Sequence, residues 1–452
     1  MAVVKNKKMN TICAISTPYG SGGIAVVRVS GESAIQIVDT LFYGRKSLLE
    51  AAAYTVHYGE IRRKGEEVLD QVLVSVFRAP HSFTGEDVVE IACHGSLYIQ
   101  QTLLQWLVDA GCQLAKAGEF TQRAFLNGKM DLTEAEAVAD LIAAQTKAEK
   151  DLALSQLKGG ISNELAALRE RLLTITSLIE LELDFADHEE LEFADRTQLN
   201  ALAQEIDTKI GRLVASFKTG NAIKQGIPVA IIGAPNVGKS TLLNALLGEE
   251  RAIVSDIQGT TRDTIEDTLV LGGMLFRFID TAGMRQTDDT IENLGIERSR
   301  QAAQRASIII HLQDATCPLD ILSSLGNIDN KLVLQVYNKV DLLPLFTPSE
   351  NIIGISAKQG NIETIINKLV TYANEQHDIR NAVTISNTRH YEALIKALDA
   401  IHHVQEGLQM QISGEFLSMD LQDCLNALGE ITGQITSQEV LNNIFSKFCI
   451  GK

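Results

Sequence analysis

The 452-residue chain has six cysteines, at 13, 93, 112, 317, 424 and 449, and no CxxC pair among them. Thiols so scattered are thin support for a disulfide framework or a zinc site, and they suit a reducing cytosol. No apolar run approaches the ~20 residues that a membrane helix needs. The basic start, MAVVKNKKMNTICAISTPYG, is interrupted by Pro18 and Gly20 before signal-peptide length. These absences predict a cytoplasmic protein with no membrane partner. Seven prolines and 5% aromatics lean towards helices and α/β layers. Positive charge is short as well, with 40 basic residues against 57 acidic and a net charge of -17. A domain that grips nucleic acid through phosphates normally carries a basic stripe. If RNA is a substrate, something else supplies much of the grip.

At this length about three domains are expected. Between residue 11 and about 127, GGIAVVRVSG, VLDQVLVSVF and EDVVEIACHG alternate as strands, and LYIQQTLLQWLVDAG reads as a helix closed by Gly111. From Leu132 the period changes: Leu132, Ala135, Val138, Ala139 and Ile142 share a helical face, and Leu165, Leu168, Leu172, Ile175 and Ile179 continue it to about residue 219. Strands then alternate with helices to about residue 377, as a parallel α/β sheet requires. Helix resumes through Tyr391, Leu394, Ile395, Leu398 and Ile401, and TSQE (Thr436 to Glu439) has capping-box spacing for the last helix. The layout is a mixed α/β domain followed by a helical domain with an α/β domain inserted in it. The acidic run from Glu180 to Asp195 reads as a solvated face and matches no calcium loop.

GAPNVGKS, Gly233 to Ser240, follows the strand IPVAIIG and opens the helix STLLNALLG. This is the phosphate-loop pattern in its strand–loop–helix setting: glycines turn backbone N–H groups inward and the helix N-terminus adds positive potential. Asn236, Val237, Gly238, Lys239, Ser240 and Thr241 are the candidate contacts, with Lys239 on the β- and γ-phosphates and Ser240 on Mg²⁺. Asp280, Thr281, Ala282 and Gly283 end FIDTAG, where an aspartate can hold the Mg²⁺ shell and Gly283 can sense the γ-phosphate. In YNKVD, Asp341 can accept both N1–H and the 2-amino group of guanine, framed by Asn338 and Lys339, and Ser356, Ala357 and Lys358 close over the base. Four motifs in order predict a guanine-nucleotide domain. Many GTPases place a water-orienting glutamine just after DxxG; here Met284 occupies the position, so hydrolysis needs another polar group or a cation. The first switch should lie in Ser255, Asp256, Ile257, Gln258, Gly259, Thr260 and Thr261, with Thr261 as the second Mg²⁺ ligand.

These motifs, with TPYGSGGIAVVRVSG, SFTGEDVVEIACHG, GEFTQRAFLNGKMDLTEAEA, GTTRD, DTAGMR, LGIERS and the final FCIGK, resemble the MnmE (TrmE) family of tRNA-modifying GTPases over essentially the whole chain. The resemblance implies a multidomain α/β and all-α architecture. Its parts are an N-terminal α+β tetrahydrofolate-binding and dimerisation domain over 1–127, a helical domain in two halves over 128–219 and 378–452, and an inserted Ras-like P-loop G domain over 220–377. It implies a homodimer that binds GTP and works with the FAD-dependent MnmG (GidA), in a heterotetramer or larger complex. Together they modify C5 of the wobble uridine, position 34, of certain tRNAs to an aminomethyl or carboxymethylaminomethyl group. The one-carbon unit comes from 5,10-methylene-tetrahydrofolate, for which 5-formyl-tetrahydrofolate is an analogue.

By the same resemblance K⁺ replaces an arginine finger, held by Asn236 and by Ser255, Ile257 and Thr260, and Glu292 orients the water. Read from the residues alone, Glu292 is a helix-surface carboxylate. The resemblance gives Arg28, Glu90, Lys129 and Lys452 to the folate, making the last residues a lid. Cys449 reads equally as a nucleophile or ligand favoured by Lys447 and Lys452, or as a small plug between Phe448 and Ile450. Cys93 and His94, in ACHG, read as packing sooner than as metal ligands. The rival readings are a ribosome-assembly or translation-associated GTPase, and a structural GTPase that polymerises through its helices.

Overall fold

A computed structural model describes residues 9–184, 196–248, 267–279, 292–326, 328–329, 331–343, 346, 352–376 and 383–452. Two compact units emerge, one of Met1–Ala139 with Gly429–Lys452 and one of Asp140–Leu428.

The first unit is built on a seven-stranded sheet of β1 (Ile12–Ile15), β2 (Ile24–Ser30), β3 (Phe42–Gly44), β4 (Thr55–Ile61), β5 (Asp70–Phe77), β6 (Val88–His94) and β7 (Gln113–Leu114), in the order β3-β4-β5-β6-β2-β1-β7. Its alternation is visible in β5, where Val72, Val74 and Val76 are buried while Gln71 and Leu73 are exposed. The buried face packs against the helices Ala34–Leu41 and Leu97–Asp109 through Ile35, Val38, Leu103 and Leu107. On the other face Val56, Tyr58 and Leu73 are exposed at 62, 63 and 49%. Antiparallel pairing sets Arg28 of β2 opposite Glu90 of β6 on that face.

The chain's last helix, Gln438–Phe445, also belongs to this unit. Leu441, Phe445 and Phe448 bury against Leu132 and Ala135, with Phe125 packed beside them. Each such side chain stabilises the packing by about 1.5–3 kcal/mol. The helix is capped by Ser437, whose hydroxyl accepts the Val440 N–H at 3.2 Å. The spacing Thr436–Glu439 had pointed to Thr436; the cap falls one residue later because Ser437 takes the extended backbone conformation that a cap requires.

The second unit holds the helices Lys147–Leu157, Gly160–Asp184, Arg196–Gln225, Thr388–Gln409 and most of Gly414–Thr432, together with an α/β layer. Leu165, Leu168, Leu172, Ile175 and Ile179 are all buried, as their period predicts. The layer's sheet contains β8 (Ile227–Ile232), β9 (Asp267–Leu271), β10 (Met274–Phe278), β11 (Ile308–Asp314), β12 (Leu332–Asn338) and β13 (Ile352–Gly354), in the order β13-β12-β11-β8-β10-β9. All pairs are parallel except the β9–β10 hairpin. The segments leading into and out of this layer are held together. A Cβ on Gly220 would lie 2.1 Å from the Ile385 carbonyl oxygen, and the Phe217 and Tyr391 rings stack at 4.3 Å. Gln156 adds hydrogen bonds to the Thr384 carbonyl and the Ser386 hydroxyl. Among the described residues no helix is long and apolar enough to cross a membrane.

Candidate functional site

The phosphate-loop sequence leaves β8 at the sheet's C-terminal edge and enters the helix Lys239–Leu247, whose Leu242, Leu243 and Leu246 are buried beneath it. Gly233 has no room for a side chain, since a Cβ would meet the Leu312 carbonyl oxygen at 2.1 Å. Gly238 turns the chain at φ +98, and its Cβ would lie 2.3 Å from Asn338 Nδ2. Asn236 also has positive φ, at 62. Lys239 Nζ donates to the carbonyls of Gly233 and Ala234, both at 2.9 Å. Burial pushes the Lys239 ammonium pKa down, because desolvation disfavours the charged form.

Asn338, at the end of β12, joins three motif segments. Its Nδ2 donates to the Val237 carbonyl at 2.9 Å, and its Oδ1 accepts the Ala357 N–H at 3.0 Å. Lys339, at φ 66, donates to the Asn236 carbonyl at 3.0 Å and to Asp314 Oδ2 at 2.6 Å. Asp341 and Lys358 are exposed, while Ser356 is buried with its hydroxyl unpartnered among the described residues. Ser240 and Thr241 lie in the helix's first turn. Ser255, Asp256, Ile257, Gln258, Gly259, Thr260, Thr261, Asp280, Thr281, Ala282, Gly283 and Met284 lie outside the described residues. Glu292 begins the helix Glu292–Arg305, with its side chain outside them.

In the first unit Arg28 and Glu90 meet. Arg28 Nε and Nη2 both reach Glu90 Oε1, at 2.9 and 2.7 Å. The guanidinium lies between the rings of Phe83 and Phe120, at 5.4 and 5.6 Å from their centroids. The last residues come to the same place. The Gly451 carbonyl accepts from Ser16 Oγ at 3.2 Å and from Arg28 Nη1 at 3.5 Å. Gly451 has φ +93, and a Cβ there would lie 2.4 Å from the Ile15 carbonyl oxygen. Lys452 is half-buried and its N–H donates to the Cys449 carbonyl at 3.4 Å. Lys129 is exposed and donates to the Pro80 carbonyl at 3.1 Å, beside the loop that carries Phe83. Cys449 is exposed. Cys93 is buried, and burial pushes its thiol up to about 11. His94 is 71% exposed, with Nδ1 held at 2.7 Å by Asp70. Among the described residues no group of three or more His, Cys, Asp and Glu side chains could hold a metal.

Two family descriptions match this chain: "GTP-binding protein TrmE N-terminus" over residues 11–129 and "MnmE helical domain" over residues 132–449. The chain belongs to the MnmE family. The protein named tRNA modification GTPase MnmE from Parabacteroides distasonis is 54% identical, with 98% of this chain and 100% of that protein covered. Those of the same name from Bacteroides fragilis and Porphyromonas gingivalis are 53 and 48% identical, covering 98 and 100% of this chain and 99 and 100% of theirs. This MnmE-family chain is therefore a GTP hydrolase that acts in tRNA modification, built from a TrmE-type N-terminal domain, a helical domain and an α/β layer that carries the phosphate-loop sequence.

Several residues around the two MnmE-family sites carry no sequence motif. Asp314 is one, an aspartate that ends the apolar strand IIIHLQD. Phe83, Phe120 and Ser16 are others, brought to Arg28 by pairing and packing across distant segments.

Proposed function

We propose that this MnmE-family GTPase turns over GTP in a potassium-dependent manner and, with FAD-dependent MnmG (GidA), modifies C5 of the wobble uridine of certain tRNAs, using a tetrahydrofolate one-carbon unit. The observation that carries the reading is the meeting of Arg28, Glu90 and the last residues on one face of the N-terminal sheet. Pterin presents an amide N–H beside an amino group, and a carboxylate reads that edge by accepting from both. Glu90 gives Oε1 to Arg28, and its remaining oxygen is the acceptor a pterin needs. Lys129 and Lys452 supply positive charge for glutamyl carboxylates. The exposed apolar Val56, Tyr58 and Leu73 on the same face support a second copy of the chain as neighbour.

GTP is held by residues 236–241, 255–261 and 280–283, by Asn338, Lys339 and Asp341, and by residues 356–358. Lys239 exchanges the two loop carbonyls it now holds for phosphate oxygens. The unpartnered Ser356 hydroxyl and the Gly238 turn fit a nucleotide at this place. Ser240, with Thr261, suits Mg²⁺ because a hydroxyl is the hard oxygen donor that ion prefers. The side-chain oxygen of Asn236 suits K⁺ for the same reason, with Ser255, Ile257 and Thr260 completing the set, and Glu292 orients the water. K⁺ supplies the charge stabilisation that other GTPases draw from an arginine.

The test is a calorimetric titration of 5-formyl-tetrahydrofolate into the full chain and into a form ending at Phe448. Binding by the full chain, weakened by the truncation, is the expected result. No binding by either form would remove the one-carbon chemistry from this reading.

A further inference from the structure

Asp314 ends β11 directly beside Asn338 in the parallel register with β12. Its side chain is only 19% exposed. One oxygen, Oδ1, accepts the Thr316 hydroxyl at 2.6 Å and the Thr316 N–H at 2.9 Å. The other, Oδ2, accepts Lys339 Nζ at 2.6 Å. The same ammonium spans to the Asn236 carbonyl at 3.0 Å. Asn236 and Lys339 both sit at positive φ, 62 and 66. Such backbones persist only where surrounding contacts over-determine them.

We propose that Asp314 is a positioning residue of the nucleotide site: its carboxylate holds the Lys339 ammonium on the Asn236 carbonyl, tying the guanine-reading segment to the phosphate loop. This rests on the reading that Asn338, Lys339 and Asp341 take the base. Three anchors then fix one geometry, with Asn338 on the Val237 carbonyl, Lys339 on the Asn236 carbonyl, and Asp314 steering the lysine between base and loop. Without Asp314 the four-carbon lysine stem has one partly exposed carbonyl to hold it and gains rotameric freedom, which nucleotide binding must then remove.

The experiment is a double-mutant cycle on the full chain, read by titration with a fluorescent GDP analogue. Asp314→Asn should raise the Kd about tenfold, the size expected of a lost charge-assisted hydrogen bond. Lys339→Ala should raise it by at least as much, and the double variant should be no weaker than Lys339→Ala alone. Thr316→Val, which removes the hydroxyl contact and keeps the backbone N–H one, should bind GDP as the parent does. Additive losses in the cycle, or an equal loss in Thr316→Val, would show Asp314 acting through its turn and would overturn the proposal. If Asp314→Asn binds normally while Lys339→Ala does not, the proposal fails and the site assignment stands. If Lys339→Ala binds normally, the site assignment itself fails. Should Asp314→Asn not fold, Asp314→Ser is carried through the same cycle under the same criteria.

Discussion

Replacing Gly451 by alanine should release the last residues without unfolding anything else. At φ +93 an L-residue is disfavoured by about 1–2 kcal/mol, and the new Cβ would lie 2.4 Å from a backbone oxygen and 2.9 Å from Ser16 Cα. Neither neighbour is a flexible side-chain tip. Against this stand two long hydrogen bonds to the Gly451 carbonyl, at 3.2 and 3.5 Å, each worth about 0.5–1.5 kcal/mol. Letting go is the cheaper response, and Phe448, 8% exposed in its cluster, should hold everything before it. A shift of about 1–2 kcal/mol multiplies the released population about 5- to 30-fold. Amide exchange of the peptide spanning residues 446–452, followed by mass spectrometry, should quicken by that factor while the peptides of β2 and β6 do not change. Ile450→Ala, at a side chain 65% exposed, serves as the control and should exchange like the parent. Equal exchange in Gly451→Ala and the parent would refute the claim that this glycine's backbone and close approach seat the tail. On the functional side, 5-formyl-tetrahydrofolate affinity should fall about tenfold in the same variant.

GTP turnover should be fast in K⁺ and fall sharply in Na⁺ at equal ionic strength, since Met284 offers the switch no glutamine; equal rates would remove the cation from the mechanism. Brief iodoacetamide treatment of the native chain at pH 8 should label Cys317 and Cys449 and spare Cys93 and Cys424, whose thiols burial pushes up to about 11 and about 12; peptide mapping that finds Cys424 labelled would contradict its placement. Gly220→Ala should lower stability by about 1–3 kcal/mol through overpacking against Ile385, seen as a lower urea midpoint, and an unchanged midpoint would mean the two segments are not held as described. Hydrogen bonds from Lys339 and Thr316 hold the Asp314 carboxyl down to about 2. A depressed folded-state value means that its contribution is complete above about pH 4 and is lost as pH falls towards 2. GDP release should thus be independent of Asp314 titration from pH 9 down to 5, and a step near neutrality in the parent that Asp314→Asn abolishes would refute the assignment.

The sequence showed most where function depends on spacing within one short segment. Gly233 to Ser240 could be read as strand end, loop and helix start because a turn, its glycines and the following helix are contiguous. Strand and helix periods likewise gave the sheet faces and the stripe from Leu165 to Ile179. What could not be read depends on pairing between distant segments. Arg28 and Glu90 are 62 residues apart, and only the register of β2 with β6 makes them partners. Phe83 and Phe120 carry no polar signal, so their place around a guanidinium follows from packing alone. Asp314 carries no motif, and only the register of β11 with β12 brings it to Lys339, while His94 stands exposed with its ring on Asp70 rather than packed.

The position of residues 429–452 in the first unit sets the order in which that unit can be completed. Its sheet lies within the first 114 residues, yet the cluster around Leu132 and Ala135 takes in Leu441, Phe445 and Phe448 from the far end of the chain. Synthesis at about 5–20 residues per second separates these two parts by roughly 15–60 s. During that interval Leu132 and Ala135 lack the Leu441, Phe445 and Phe448 side chains that bury against them in the finished fold. A polypeptide abandoned anywhere in between leaves those apolar side chains without their partners, so an unfinished copy exposes surface that a finished one buries.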